Sequence, residues 1–514
     1  MQVSQAADQR AAGPEEGLGV LFVVSEMVPL AKTGGLADVA GALPGSLKGL
    51  GLDVRVFVPA YRSLFEGGFR TRRVLEGLRV PLGKEELQAD VLEVAAGINA
   101  EVYAVQREDL FDRPNLYGNS RGDYYDNLER FAFFCHAVLS AAEAMGLVPD
   151  VVHCHDWQTG LIPALLKGPY ARRPLSRAGS VFTIHNLGYQ GVFAEDKFYR
   201  TGLEQGRFYQ PEGMEFWGGM SLLKAGIVYS DAVTTVSPTY AREIQTAELG
   251  MGMEGVLKAR RDRLYGILNG ADYERWDPRF DSFLTFHYGP SGLEGKRRCK
   301  SELIKEMGLQ AVPEDRPLLA VISRLDEQKG LDLLLEVLDE IMELHVGLVV
   351  LGSGERRIES FLRESAARHQ GFLGLKIGFD EALAHRIMAG ADILLVPSRY
   401  EPCGLTQIYA LRYGTVPVVR ATGGLGDTVE AYSEGTGTGN GFKFKAYDSQ
   451  TLLAEVKKAV GLFERSEEWQ RLVENGMRAD FSWQKAAKAY LDIYRKTCKA
   501  ISPRSGSGAS AAGT

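Results

Sequence analysis

The sequence predicts two doubly wound α/β domains in succession. Three observations carry that expectation. Apolar runs of strand length alternate with stretches of helical spacing, and the alternation pauses once, over a loop-like segment at residues 269–295, before it restarts. The apolar runs lack the in-out alternation of a half-solvated strand, as in the buried strands of a parallel sheet. At 514 residues the chain has room for two or three domains. Open parallel sheets bind ligands at the carboxyl ends of their strands, so two such domains facing one another would leave a cleft lined by those ends.

In chain order, Val20-Leu21-Phe22-Val23-Val24 is the first strand, and Thr33-Gly34-Gly35 turns it into a helix over residues 36–50. A second strand at 53–58 completes a βαβ unit with a right-handed crossover expected. Further strands are read at 101–105, 151–154, 180–184, 232–236 and 265–268, with helices near 126–145, 158–167 and 238–245. After the pause, strands return at 318–322, 347–351, 374–377, 393–396 and 416–419, separated by helices of roughly a dozen residues. Ala486, Ala487, Ala489, Tyr490 and Ile493 give residues 483–499 an amphipathic helical face that must dock on something. The organisation expected is a disordered tail at 1–17, domains at 18–268 and 269–480, a closing helix at 481–500 and a second disordered tail at 501–514.

Composition narrows the class. A formal net charge of −7 argues against holding nucleic acid or an anionic membrane by bulk electrostatics. No apolar run approaches the ~18 residues that span a bilayer, and the first residues carry neither an apolar signal core nor a transit-peptide composition. Cys135, Cys154, Cys299, Cys403 and Cys498 are widely spaced and form no Cys-x-x-Cys, which fits a reducing compartment better than a disulfide framework.

The densest chemistry lies in Ser398-Arg399-Tyr400-Glu401-Pro402-Cys403-Gly404-Leu405-Thr406-Gln407. This stretch joins a buried strand ending at Pro397 to a helix expected near Gly404, whose free amides favour an anion. An ordinary strand-to-helix turn would use Pro402 and Gly404 in the same way. Arg324 and Lys329, in Ser323-Arg324-Leu325-Asp326-Glu327-Gln328-Lys329-Gly330, follow another strand; they suit a diphosphate, and equally a solvated mixed-charge loop. No Asp-x-Asp is present to hold a nucleotide-bound divalent ion. Lys32-Thr33-Gly34-Gly35 offers a lysine and backbone amides at a helix start, with Asp38 on the first turn, but it is neither a Walker loop nor a Gly-x-Gly-x-x-Gly dinucleotide fingerprint. His153-Cys154-His155-Asp156-Trp157 ends a strand with both histidines on one face; a metal site there lacks a third soft ligand, and a polar wall with Trp157 stacked on a sugar accounts for the same residues. His185-Asn186 and Asn269 end two more strands, so polar groups recur at strand ends.

Taken together, Lys32 to Val39, His155-Asp156-Trp157, Thr183-Ile184-His185-Asn186, Ile267-Leu268-Asn269-Gly270, Ser323-Arg324-Leu325 with Gln328-Lys329-Gly330, and Ser398 to Gln407 resemble, in order, the motifs of the bacterial and plant glycogen and starch synthases. The resemblance implies a GT-B glycosyltransferase with two Rossmann-like domains, an acceptor-side N-terminal one and a donor-side C-terminal one, and a last helix returning to the first. It implies retaining transfer of glucose from ADP-glucose to the non-reducing 4-hydroxyl of an α-1,4-glucan, without metal or cofactor; the missing transit-peptide composition favours the cytoplasm. On this likeness Lys32, Gly34 and Gly35 contact donor phosphates, and Arg324 and Lys329 stabilise departing ADP. Glu401 holds sugar hydroxyls, while Cys403, Gly404, Leu405 and Thr406 line the donor pocket and His185 lies beside the reacting carbon. Asp38, Asp156, Trp157, Asn186 and Asn269 complete the sugar site. The acidic residue that the wider retaining superfamily often carries eight positions after Glu401 is here Tyr409.

Overall fold

The computed structural model describes residues 17–501 apart from Ser120 and Glu314, and within them the chain forms two compact units. One runs to Thr234, takes in Gly255–Leu264 and resumes at Ala486; the other is Thr235–Glu254 with Tyr265–Lys485. The tails expected at 1–17 and 501–514 fall, but for Gly17 and Ile501, outside the described residues.

The first unit contains β1 Gly19–Val23, β2 Asp53–Pro59, β3 Thr71–Leu82, β4 Glu85–Val94, β5 Glu101–Gln106, β6 Gly118–Asn119, β7 Gly122–Asp123, β8 Val151–His155 and β9 Gly179–Ile184. After these come β10 Val192–Ala194, β11 Glu215–Phe216 and β12 Gly219–Ser221, then β13 Ala232–Thr235 and β14 Leu264–Gly266, whose last residues, from Thr235 and from Tyr265, belong to the second unit. The first unit's main sheet has the order β14-β13-β9-β8-β1-β2-β5-β4-β3. The centre is parallel, with β1 between β2 and β8, and its side chains are almost wholly removed from water. The hairpin β3–β4, antiparallel to its neighbours, escapes the sequence reading. The reason is physical: β3 is the edge strand, mostly solvated, and ion pairs such as Arg73–Asp90 take the place of an apolar run. The expected helix is Gly35–Gly49, which buries Leu36, Val39, Ala40, Leu43 and Leu47.

In the second unit β15 Leu318–Ile322, β16 Gly347–Gly352, β17 Leu373–Ile377, β18 Ile393–Val396, β19 Val416–Arg420 and β20 Phe442–Phe444 form an all-parallel sheet in the order β17-β16-β15-β18-β19-β20. In β15, β16, β18 and β19 almost all the Val, Ile and Leu side chains are buried, which explains why continuous apolar runs announce these strands. The segment read as loop-like is anchored by Trp276, whose ring stacks on His385 at 3.6 Å and on Tyr409 at 4.3 Å.

Each sheet reverses its winding once. From β1 the chain moves outward to β2 and later returns to set β8 on the other side of β1; from β15 it goes out through β16 and β17 and returns with β18. Loops leaving two strands on either side of such a reversal diverge and open a crevice at the carboxyl edge. The closing helix, Trp483–Ile501, returns to the first unit as expected: Tyr490 and Tyr494 are fully buried, and Tyr494 OH lies 2.8 Å from His153 Nδ1. The fold is thus of two Rossmann-like domains. Among the described residues no helix is long and apolar enough to cross a membrane.

Candidate active site

In the second unit the crevice between β15 and β18 gathers Lys329, Ser398 and Glu401. The Asp326 carboxylate accepts from the Lys329 amide at 3.1 Å and caps a single turn, after which Gly330 takes the left-handed conformation at φ 68°. A Cβ at Gly330 would run into the Pro397 carbonyl, so the two loops meet backbone to backbone. That contact sets Lys329 Nζ 2.6 Å from Glu401 Oε2, and Ser398 Oγ donates to the same oxygen at 3.0 Å. With 19% and 9% of their side chains exposed, the two charges are largely removed from water and each needs the other. Arg324, on the same loop, is half exposed and bonds Asp326 and Gln328.

The turn after Glu401 is built to stay in place. Gln407 Nε2 donates to the carbonyls of Cys403 and Gly404 at 3.1 and 2.9 Å and to Thr428 Oγ1 at 3.1 Å. Gly404 has φ 71°, and Leu405 and Thr406, partly exposed, lead into the short helix Thr406–Arg412. Burial pushes the Cys403 thiol up to about 12, so it packs this turn as a neutral group and is no nucleophile. Asn269 hydrogen-bonds the Cys403 thiol through its backbone, and its side-chain Oδ1 is buried without a partner among the described residues, an acceptor left for a ligand. The loop Thr422-Gly423-Gly424 supports this turn: the Gly424 amide donates to the Glu401 carbonyl at 3.2 Å, and Glu243 accepts from the Gly423 amide at 3.0 Å.

In the first unit the loops leaving β1 and β8 hold a different set. Lys32 Nζ pairs with Asp38 Oδ1 at 2.7 Å. The buried Glu26 carboxylate accepts from the Thr33 and Gly34 amides at 2.5 and 3.3 Å, so the amide expected to meet a phosphate at Gly34 is already engaged, while Gly35 begins the helix. Burial raises Glu26 to about 7 against the pull of those amides. Asp156, held at φ 54°, accepts from the His185 amide at 2.7 Å and is likewise pushed up to about 7 by burial. Trp157 is packed against Phe131 and Phe193 and is only 7% exposed, more a core ring than an open sugar platform. Asn186 Oδ1 is spent on the Gly188 amide at 2.9 Å.

The histidines divide by role. His153 is satisfied at both nitrogens, by Tyr494 OH and by Thr183 Oγ1 at 2.6 Å, and is structural. His155 Nδ1 lies 2.9 Å from His185 Nε2. Burial drops His185 to about 3, so its ring is neutral.

Within the second unit, then, Arg324, Lys329, Glu401, Cys403, Gly404 and Asn269 are brought together. Lys32, Gly34, Gly35 and Asp38 form one group in the first unit, and Asp156, Trp157, His185 and Asn186 another. The sequence reading gave no role to Glu26, Ser398 or Glu243. Glu26 could have been found, since an acid just beyond the strand that flanks the winding reversal stands where ligands bind. Nothing in the sequence marks Glu243, which acts through a loop 180 residues away.

Comparison with known proteins places this geometry. Residues 19–259 match the starch synthase catalytic domain model, and residues 305–477 match the glycosyl transferases group 1 model. The chain is 44% identical to a glycogen synthase of Koribacter versatilis (strain Ellin345), over 94% of this chain and 99% of that one. It is 47% identical to a glycogen synthase of Anaeromyxobacter sp. (strain Fw109-5), over 93% and 98%. Among solved structures it superposes on the catalytic domain of starch synthase IV from Arabidopsis thaliana, bound to ADP and acarbose, with a TM-score of 0.87 and 33% identity over 94% of this chain and all of that one. Fold, order of motifs and near full-length identity agree: the chain belongs to the glycogen and starch synthase family of GT-B glucosyltransferases.

Proposed function

We propose that the chain transfers glucose from ADP-glucose to the non-reducing 4-hydroxyl of an α-1,4-glucan, glycogen or a maltooligosaccharide, with retention of configuration and release of ADP, acting in the cytoplasm. The observation that carries this reading is the Lys329–Glu401 pair, held by Ser398 at the winding reversal of the second sheet with Arg324 on the same loop. As the bond from the sugar to the β-phosphate breaks, negative charge grows on ADP. Lys329 and Arg324 supply fixed positive charge where it develops. Glu401 keeps Lys329 in place through Oε2 and offers Oε1 to sugar hydroxyls. Because that carboxylate is already bonded by two groups, and Tyr409 is stacked on Trp276 where a second acid would be sought, a covalent glycosyl intermediate on Glu401 is disfavoured and departure and attack on one face are preferred. Lys32 and the amides of Gly34 and Gly35 hold the diphosphate. This requires Glu26 to release the Gly34 amide when the donor binds. In the first unit Asp38, Asp156, His185 and Asn186 offer polar groups to sugar with Trp157 packed behind them, and in the second Asn269 offers its Oδ1 while Cys403, Gly404, Leu405 and Thr406 shape the donor pocket.

The experiment is ADP release and glucan elongation with glycogen as primer, run with ADP-glucose beside UDP-glucose and with Glu401→Ala as control. Elongation that prefers ADP-glucose and is lost in the variant is expected. Preference for UDP-glucose would replace the donor and keep the family; glycogen binding without transfer from either donor would overturn the reading.

A further inference from the structure

Two buried histidines meet in the first unit, and only one arrangement of their protons avoids a stranded donor. His155 and His185 share a single hydrogen bond, Nδ1 to Nε2 at 2.9 Å, so one of these nitrogens carries the proton and the other accepts it. His155 is fully buried, and its Nε2 has no hydrogen-bond partner among the described residues. If His185 Nε2–H donated, His155 would have to carry its own proton on that partnerless Nε2. The neighbouring rings do not receive it: Phe22 and His153 lie 4.3 and 4.0 Å away, tilted by 43° and 41°, and neither presents the perpendicular face that an N–H directed at a ring requires. With the proton on His155 Nδ1 instead, the buried Nε2 is an unfilled lone pair, and a stranded acceptor is tolerated better than a stranded N–H. Both rings are neutral, since burial holds both below the usual histidine range.

We infer that His155 is a positioning residue that donates through Nδ1–H to His185 Nε2 and thereby fixes His185 as the Nδ1–H tautomer, a hydrogen-bond donor to a sugar oxygen with no lone pair free to act as a base. His185 Nδ1 bonds no described protein group and belongs to the one ring of the three that is not fully buried, at 9% exposure. The role toward sugar rests on the proposed function; the placement of the proton does not.

The test has two arms. The chain has eight histidines. Long-range proton–nitrogen correlation on protein labelled with 15N-histidine, without substrate, reads which nitrogen of each bears hydrogen, and the His185→Asn spectrum identifies the His185 signals. Protons on Nδ1 of both His185 and His155 are expected; a proton on His185 Nε2 overturns the inference, whatever the enzyme's activity. In the second arm His155→Leu removes the donor, whereas His155→Asn keeps an amide N–H in its place. An about tenfold fall in kcat/KM for ADP-glucose is expected in the first, the worth of one hydrogen bond, with recovery to within about threefold of wild type in the second. Equal damage in both variants, with His185 still Nδ1–H, would leave the proton where it is placed and overturn the positioning role. Absence of glucosyl transfer by the wild type would count against the proposed function and not against the tautomer.

Discussion

Two carboxylates of the first unit, Glu26 and Asp156, are held near neutrality by burial although each accepts backbone amides. Both folded values, about 7, lie above the ordinary 4.5 and 3.8. Folding therefore favours the protonated forms: this stabilisation is complete below the ordinary carboxylate range and is lost as the pH rises through about 7. Asp156→Asn, which cannot ionise, should gain Tm relative to wild type as the pH goes from about 5 to about 8; a pH-independent difference would mean that Asp156 is not raised. For the second unit the expectation is kinetic. Lys329→Ala should lower kcat by about 10²- to 10³-fold, as the loss of one preorganised charge does, and with a smaller change in the KM for ADP-glucose. A rise in KM alone would assign Lys329 to uniform binding rather than to the departing phosphate.

Among the elements, the turns that carry the site are fixed by close backbone approaches. Gly330 and Gly423 both have positive φ, and a Cβ on either would meet a carbonyl, that of Pro397 or that of Glu401. Gly330→Ala should cost more than the ~1–2 kcal/mol of a left-handed residue with a side chain, because the Ser398–Glu401 loop must also move; urea denaturation with a parallel assay would show stability and activity falling together. Gly461 supplies the contrast. It lies inside the helix Ser449–Phe463 with nothing near its Cβ position, so Gly461→Ala should stabilise by up to about 1 kcal/mol and leave transfer unchanged. Elements read poorly from sequence are those too short or too mixed in polarity to show a run. The hairpin β3–β4 and the three-residue β20 carry no continuous apolar run, and their pairing is decided by the sheet edge they extend.

For the molecule as a whole, the chain's last helix is a structural part of its first unit. Tyr490, Ile493 and Tyr494 are buried there, and Tyr494 OH satisfies one nitrogen of His153, whose other nitrogen is bonded by Thr183. Tyr494→Phe should cost about 1–3 kcal/mol by stranding a buried ring nitrogen. Ending the chain before Ala486 should remove the first unit's calorimetric transition while the second unit's persists. If both transitions were kept, the helix would be an accessory to the first unit.

The central parallel strands of both sheets were legible in the sequence, because strands buried on two faces must be apolar throughout, and the motifs fell at strand ends, because glycines and polar residues interrupt those runs there. The sequence singled out Lys329, Glu401, His185 and Asp156 as site residues, and their order along the chain identified the family. Which of these meet depends on how the chain winds. Lys329 reaches Glu401 because two strands far apart in sequence become neighbours where the winding reverses. Glu26 occupies the Gly34 amide because a helix start folds back over the end of β1. Burial, too, belongs to the fold: the same side-chain chemistry gives a doubly bonded structural ring at His153 and a positioned donor at His185, and only the number of partners left by packing separates them.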